Sequence, residues 1–243
     1  MKPILELEDL HYRYPGQATE ALRGATLSVP SGCKAAILGR NGCGKSTLLL
    51  HCNGILRPDS GMVRFGGRPV TYDRRAILEL RRRVGIVFQN PDDQLFSASV
   101  AQDISFGPLN LGLCEREARM RVEAAAEACG VADLLNRPTH ALSVGQKARV
   151  ALAGVLAMDP LVLIADEVTG SLDPWMLRQM LAIFDRLVRE GKTVLVATHN
   201  LEIARCWANF AVVMDSGRVA AADLPERIFA DRALLSLVGL EDV

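Results

Sequence analysis

The stretch "GRNGCGKST", residues 39 to 47, holds the residue types a phosphate chain needs, at usable spacing. Gly39, Gly42 and Gly44 let a backbone curl until its amides surround a β-phosphate, with Asn41, Cys43 and Thr47 completing the loop. Lys45 suits the β- and γ-phosphates of a nucleotide, and Ser46 offers a hydroxyl to Mg²⁺. A second stretch, "LVLIADE", ends in Asp166 and Glu167. Asp166 suits Mg²⁺ through its water, and Glu167, one residue on and aimed elsewhere, suits the polarising of an attacking water. A third, "ALSVGQKARV", sets Ser143 and Gln146 at the spacing of a helix capping box, which recurs at Ser99 and Gln102. A helix N-terminus is also an anion site. The spacing alone leaves open whether this one only caps or also holds a phosphate, and whose.

These residues need elements to position them. "CKAAIL", "VGIVF", "LVLIAD", "TVLVAT" and "FAVVMD" read as strands buried on both faces, as in a parallel sheet. "ILELEDL" and "ATLSV" alternate more and read as strands of an antiparallel edge sheet. The glycine loop lies between "CKAAIL" and the helical "STLLLHCNG", the setting of a phosphate loop. The Asp-Glu pair sits at a strand end, where open α/β sheets bind ligands. Between Gln89 and Pro160 helical patterns replace strands, notably "EREARMRVEAAAEACG". The expectation is one α/β domain over residues 1–243. Residues 1–89 and 160–243 form its core with an antiparallel β subdomain, and residues 90–159 form an inserted helical subdomain.

Composition narrows the class. Lys plus Arg is 28 and Asp plus Glu is 28, so no net basic field invites nucleic acid. No apolar run reaches the roughly 20 residues of a membrane helix, and "MKPILELEDL" is too acidic for a signal peptide. The six cysteines form no C-x-x-C pair and the four histidines are dispersed, which suits reduced thiols rather than a disulfide or zinc framework. Cys43, at a helix N-terminus, is expected to have a lowered pKa and to react first. No N-K-x-D motif supports a GTPase, and the arginines of "DRRAILELRRRVG" read as a solvated face rather than a kinase lid.

With those pieces placed, the chain resembles an ABC-transporter ATPase from end to end. "LSVGQ" resembles the family signature, Gln89 in "VFQNP" the Q-loop, "SLD" at 171 to 173 the D-loop, and His199 in "ATHN" the switch histidine. Tyr14 in "YRYPG" resembles the aromatic on which adenine stacks, with Tyr12 as the alternative. The resemblance implies a P-loop fold with a RecA-like core sheet, and ATP and Mg²⁺ as cofactors. It implies Glu167, His199 and Gln89 as catalytic residues, and Ser46, Gln89 and Asp166 around the metal. It also implies a head-to-tail homodimer or pair of ATPases, in which Ser143, Gly145, Gln146 and Asp173 complete the partner's ATP site. On this view a side chain at Gly145 would project toward the γ-phosphate or demand a positive φ.

The sequence departs from the family pattern at three places. Val144 replaces the first glycine of L-S-G-G-Q, Val168 replaces the proline after the Asp-Glu pair, and Ala165 is smaller than usual. The second removes a restraint on the backbone of Glu167. All three bear on the rate of hydrolysis more than on ATP binding.

"FQNPDDQLFSASVAQDISFGPLNLGL" and "ALAGVLAMDP" are similar to ATPases of energy-coupling factor (ECF) importers, which serve vitamins and cobalt or nickel ions. The compact single cassette points to the cobalt/nickel type. The implied partners are a transmembrane coupling subunit, seated against Asn90 to Phe96, and a substrate-binding membrane subunit. The implied place is the cytoplasmic face of the cell membrane, as a peripheral protein. A vitamin importer and a soluble ATPase for iron–sulfur assembly remain open alternatives.

Overall fold

A computed structural model describes residues 2–168, 170 and 173–240 of the chain. The first strands, β1 (Pro3–Tyr12) and β2 (Leu22–Pro30), alternate buried and exposed side chains and pair antiparallel. The short β3 (Lys34–Leu38), apolar after Lys34, runs through the glycine loop into α1 (Lys45–Cys52). Next come β4 (Ser60–Phe65) and β5 (Arg68–Pro69), which extend the first sheet in the order β2-β1-β4-β5. The arginine run forms α2 (Arg74–Arg83), capped by Asp73, with Leu80 its buried residue. Its arginines therefore lie on a solvated face, as their density implies.

β6 (Val84–Val87) enters the second sheet, and helices follow: α3 (Val100–Asn110), α4 (Glu115–Ala128) and α5 (Val144–Leu156). The chain then returns through β7 (Val162–Asp166), α6 (Pro174–Arg189) and β8 (Thr193–Ala197). A π-turn at Ile203–Trp207 leads into β9 (Phe210–Asp215), β10 (Arg218–Asp223), α7 (Pro225–Ala230) and α8 (Arg232–Leu237). The second sheet has the order β10-β9-β3-β8-β7-β6, with β10 antiparallel to β9 and the other pairings parallel. The C-terminal ends of β3, β6, β7 and β8 thus share one edge, and the candidate residues lie just beyond it.

Two apolar layers hold this edge in place. One joins the antiparallel sheet to α1 and the main sheet through Leu5, Leu7, Leu10, Ile37, Leu48 and Ile164. The other joins the opposite side of the sheet to α6 and the inserted helices through Ile104, Val150, Leu163, Phe184 and Val194. Gly85 sets how closely α5 approaches β6, because a Cβ there would overlap Val155. Helix α5 is thereby pressed onto the sheet with its N-terminus at the surface. Among the described residues no helix is long and apolar enough to cross a membrane.

Candidate active site

The loop between β3 and α1 is built for close backbone approach. Gly39 has φ 151° and Gly44, the N-cap of α1, has φ 104°. A Cβ on Gly39 would collide with the Met214 carbonyl, and one on Gly44 would stand 2.8 Å from the Ala21 carbonyl oxygen. Only glycine meets both demands. Helix α1 has no side-chain cap, so its first-turn donors are left to a ligand or to solvent.

Around this helix end opens a cleft of about 630 Å³. Asn41, Gly42, Gly44, Lys45, Ser46 and Thr47 line it from the loop, Tyr14 from beyond β1, Gln89 from beyond β6 and Glu167 from the end of β7. Lys45 is buried; its ammonium donates to the carbonyls of Gly39 at 2.8 Å and Arg40 at 3.3 Å, and pairs with Glu167 Oε1 at 3.2 Å. The Tyr14 hydroxyl lies 3.2 Å from Thr47 Oγ1, which brings the ring beside the loop. Tyr12 is buried instead, edge-on to Tyr14 and His51, and burial raises its pKa. That geometry chooses Tyr14 over Tyr12 as the cleft residue. Gln17, Thr19 and Ser216 also line the cleft and were not singled out in the sequence. Gln17 and Thr19 follow Tyr14 in a polar turn, the one signal that could have found them.

Asp166 is buried beside this cleft, and burial raises its pKa while a hydrogen bond with the Ser46 side chain lowers it. Its Oδ1 has no hydrogen-bond partner among the described residues. A buried carboxylate oxygen left so is costly unless a cation or water answers it. An unanswered carboxylate oxygen next to a hydroxyl fits a hard divalent cation that draws its other ligands from phosphates and water. No cluster of three or more His, Cys, Asp or Glu ligands occurs among the described residues.

One expectation fails here, and one alternative of a second fails with it. Cys43 does not have a lowered pKa: its thiol is buried, and burial pushes the pKa up against the opposing effect of Lys45. The helix dipole is outweighed by lost hydration. Cys114 and Cys206 are the exposed thiols. Gly145 does not require a positive φ, because it lies inside helix α5. A Cβ there would meet the terminal methyl of Met176, at 2.9 Å. The close neighbour is thus a flexible side chain of the same chain.

The remaining candidates lie outside the cleft lining. Ser143 and Gln146 form the full capping box: Ser143 Oγ accepts from the Gln146 amide at 3.3 Å, and Gln146 Oε1 accepts from the Ser143 amide at 2.9 Å. At Ser99 only the first of these reciprocal bonds forms, from the Gln102 amide. Asp173 caps α6 by accepting from the amides of Trp175 and Met176, each at 2.9 Å. Through Met176 this helix start abuts that of α5. The other two residues of "SLD", Ser171 and Leu172, lie outside the described residues. His199 follows β8 and is exposed, its ring 3.2 Å from where a Gly170 Cβ would stand.

A second cavity, apolar and also about 630 Å³, opens between α2 and α3. Ile55, Leu78, Phe96, Phe106 and Met158 line it, with Phe96 and Phe106 edge-to-face at 4.7 Å and largely exposed. The segment beside it is tied to α5: Asp92 pairs with Lys147 at 2.6 Å, and Gln94 donates to the Ala151 carbonyl at 3.3 Å. Gln94 and Phe96 line this groove, whereas Asn90 to Asp93 do not.

Residues 22–170 match the family described as ABC transporter. The chain is 50% identical over 99% of its length to the cobalt import ATP-binding protein CbiO of Rhodobacter capsulatus, covering 85% of that protein. Among solved structures, CbiO1 from Clostridium perfringens, part of the ABC transporter complex CbiONQ, is 45% identical. That alignment covers 99% of this chain and 96% of the other, with a TM-score of 0.84. The ATP-binding cassette MJ0796, in a dimeric post-hydrolysis state with ADP and Pi, is 25% identical over 91% of this chain and 98% of its own, with a TM-score of 0.83. The chain covers 60% of the energy-coupling factor transporter ATP-binding protein EcfA2 of Methanospirillum hungatei, to which it is 44% identical over 99% of its own length.

Proposed function

The chain belongs to the ABC transporter family, as an ATP-binding and ATP-hydrolysing subunit with the α/β fold of a P-loop cassette, and we propose that it powers an ECF-type importer whose cargo is cobalt or nickel ions. The observation that carries the ATPase part of this reading is the single cleft in which the glycine loop, Tyr14, Gln89 and Glu167 converge, and the likeness to a cobalt import ATP-binding protein supports the importer and its cargo. Tyr14 stacks adenine, and the loop amides and Lys45 hold the phosphates. Asp166, Ser46 and Gln89 would hold Mg²⁺, whose positive charge would offset that of the nucleotide's phosphates. Glu167 polarises the attacking water, and His199 contacts the γ-phosphate end.

Ser143, Gly145, Gln146 and Asp173 serve a second copy. They lie outside the cleft of their own chain, as a shared head-to-tail site requires. Residues 90–159 act as the inserted helical subdomain and the remainder as the nucleotide-binding body. The apolar groove at Phe96 and Phe106 receives a transmembrane coupling subunit, which favours a peripheral membrane protein over a free-standing iron–sulfur assembly ATPase. The ionic cargo does not touch this chain but passes through the membrane subunits.

The test is purification of the chain with the membrane proteins it retains, followed by uptake into vesicles. ATP-dependent accumulation of cobalt or nickel is expected. Accumulation of a vitamin instead would keep the importer and change its cargo, and a chain that retains no membrane protein would overturn the importer reading.

A further inference from the structure

The phosphate-binding lysine has charged and polar partners within its own chain. Lys45 Nζ donates to two acceptors, the Gly39 and Arg40 carbonyls, and forms an ion pair with Glu167 Oε1 at 3.2 Å. The two carbonyls belong to the loop itself. The carboxylate comes from another element and carries the charge. We propose that Glu167 acts in the resting state as an internal anion, occupying Lys45 in place of a phosphate, and that Val168 is the positioning residue that lets it do so. The inference rests on reading this cleft as the nucleotide site.

The backbone shows how the contact is maintained. Glu167 has φ 50°, in the left-handed region that residues other than glycine seldom adopt. It is fixed there from both sides. Its amide donates to the Ala197 carbonyl at 3.0 Å, its carbonyl accepts from the Gly170 amide at 3.3 Å, and Val168 is buried in the core layer that includes Met180 and Phe184. An uncommon backbone conformation held by its surroundings at a strand end is where function is to be sought. A proline at 168 would drive residue 167 toward extended conformations and withdraw its carboxylate from Lys45.

The consequence is a competition. A carboxylate and a phosphate seek the same ammonium, so nucleotide binds only the fraction of molecules in which Glu167 has let go. A pair closed about nine-tenths of the time lowers apparent affinity about tenfold. Phosphate binding in turn releases Glu167, so the residue assigned to the attacking water is delivered only when a nucleotide has taken its place.

The experiment measures ADP binding to the full chain by calorimetry without divalent cation, so that neither hydrolysis nor metal contributes. Glu167→Asp keeps the charge but, one methylene shorter, falls short of Lys45; it should bind ADP about five- to tenfold more tightly. Val168→Pro should give a similar gain in an otherwise unchanged chain and no gain in a Glu167→Gln background, because its effect runs through Glu167. General damage lowers affinity, so a gain separates release of the pair from a structural defect. Unchanged or weaker ADP binding by Glu167→Asp overturns the proposal, as does an equal gain from Val168→Pro in both backgrounds. If Val168→Pro does not fold, Glu167→Asp decides alone. A wild-type chain that binds no ADP would sink the nucleotide reading of the cleft, and this proposal with it.

Discussion

Two helix N-termini in this molecule are candidates for holding phosphate, and they are finished in opposite ways. Helix α1 begins on Gly44 with no side-chain cap and opens into a half-enclosed cleft beside buried Lys45 and Asp166. Helix α5 begins on Ser143, is capped reciprocally by Gln146, and faces solvent with Val144 57% exposed. An uncapped end keeps its donors for a ligand. A capped end is stable alone and has only part of its donor set to offer. The first is therefore equipped to hold a nucleotide within one chain. The second can add contacts only to something brought to it, which in a dimer is the other copy's nucleotide.

The largest expected effect tests that division directly. Gly145→Asp sets a carboxylate at the open helix end and should abolish ATPase, and Lys45→Ala should abolish it from the half-enclosed end. Mixed together, the two inactive variants form heterodimers with one intact composite site and should regain partial turnover, read by phosphate release. Heterodimers that form and stay inactive would remove the distinction, either because the helix ends do not cooperate or because both sites must work together.

Next in size is a change confined to the half-enclosed end. Glu167→Gln should lower turnover by at least about 10² while leaving ATP bound, the low end for a lost general base. The variant should accumulate as an ATP-bound dimer on gel filtration, since hydrolysis reopens the pair. Wild-type turnover would take Glu167 out of the chemistry and leave only its pairing with Lys45.

A smaller effect separates the two tyrosines at the cleft mouth. Tyr14→Ala should weaken ATP binding by about 1–3 kcal/mol, the scale of a base stacked on an aromatic ring. Turnover of bound ATP should change little. Tyr12→Ala should instead cost stability, about 3 kcal/mol for a buried aromatic, seen as a lowered melting temperature. Equal losses of ATP binding at both positions would show that Tyr12 shares the platform.

How far these features were legible depends on the reach of the interaction behind each. The strands β3, β6, β7, β8 and β9 announce themselves, because a strand buried on both faces must be a short continuous apolar run. Strand β10 does not: "RVAAAD" alternates exposed with half-buried residues, and its alanines carry little apolar signal. The glycine loop and the capping box are local devices, legible from spacing alone. The Cys43 expectation failed because a dipole is local and burial is not; β2 and β9 close over that loop from other parts of the chain. Of the two alternatives for Gly145, the positive φ fails because that residue lies inside helix α5, and its neighbour Met176 arrives on another helix that the motif does not show. The Lys45–Glu167 pair joins the start of α1, beyond β3, to the residue after β7, strands separated in the sheet by β8, and nothing in either motif hints at it.

The smallest expected effect concerns Val144, the departure that most suggests a damaged signature. A phosphate at a helix N-terminus is bound by backbone amides and by the capping hydroxyl, not by the side chain at the first helical position. Valine retains its amide, and the observed helix shows that it accepts helical geometry there. Its side chain is largely exposed within the chain, so removing it opens no cavity. What glycine would change is the backbone, whose added freedom costs about 0.5–1 kcal/mol within a helix. Val144→Gly should therefore shift the melting temperature slightly downward and alter turnover less than about tenfold, or 1.4 kcal/mol. A larger rise in turnover would mean that valine obstructs the partner's nucleotide. A larger fall would mean that its side chain packs against the second copy. Either result would move the open helix end from a passive donor set to a surface shaped by its own side chains.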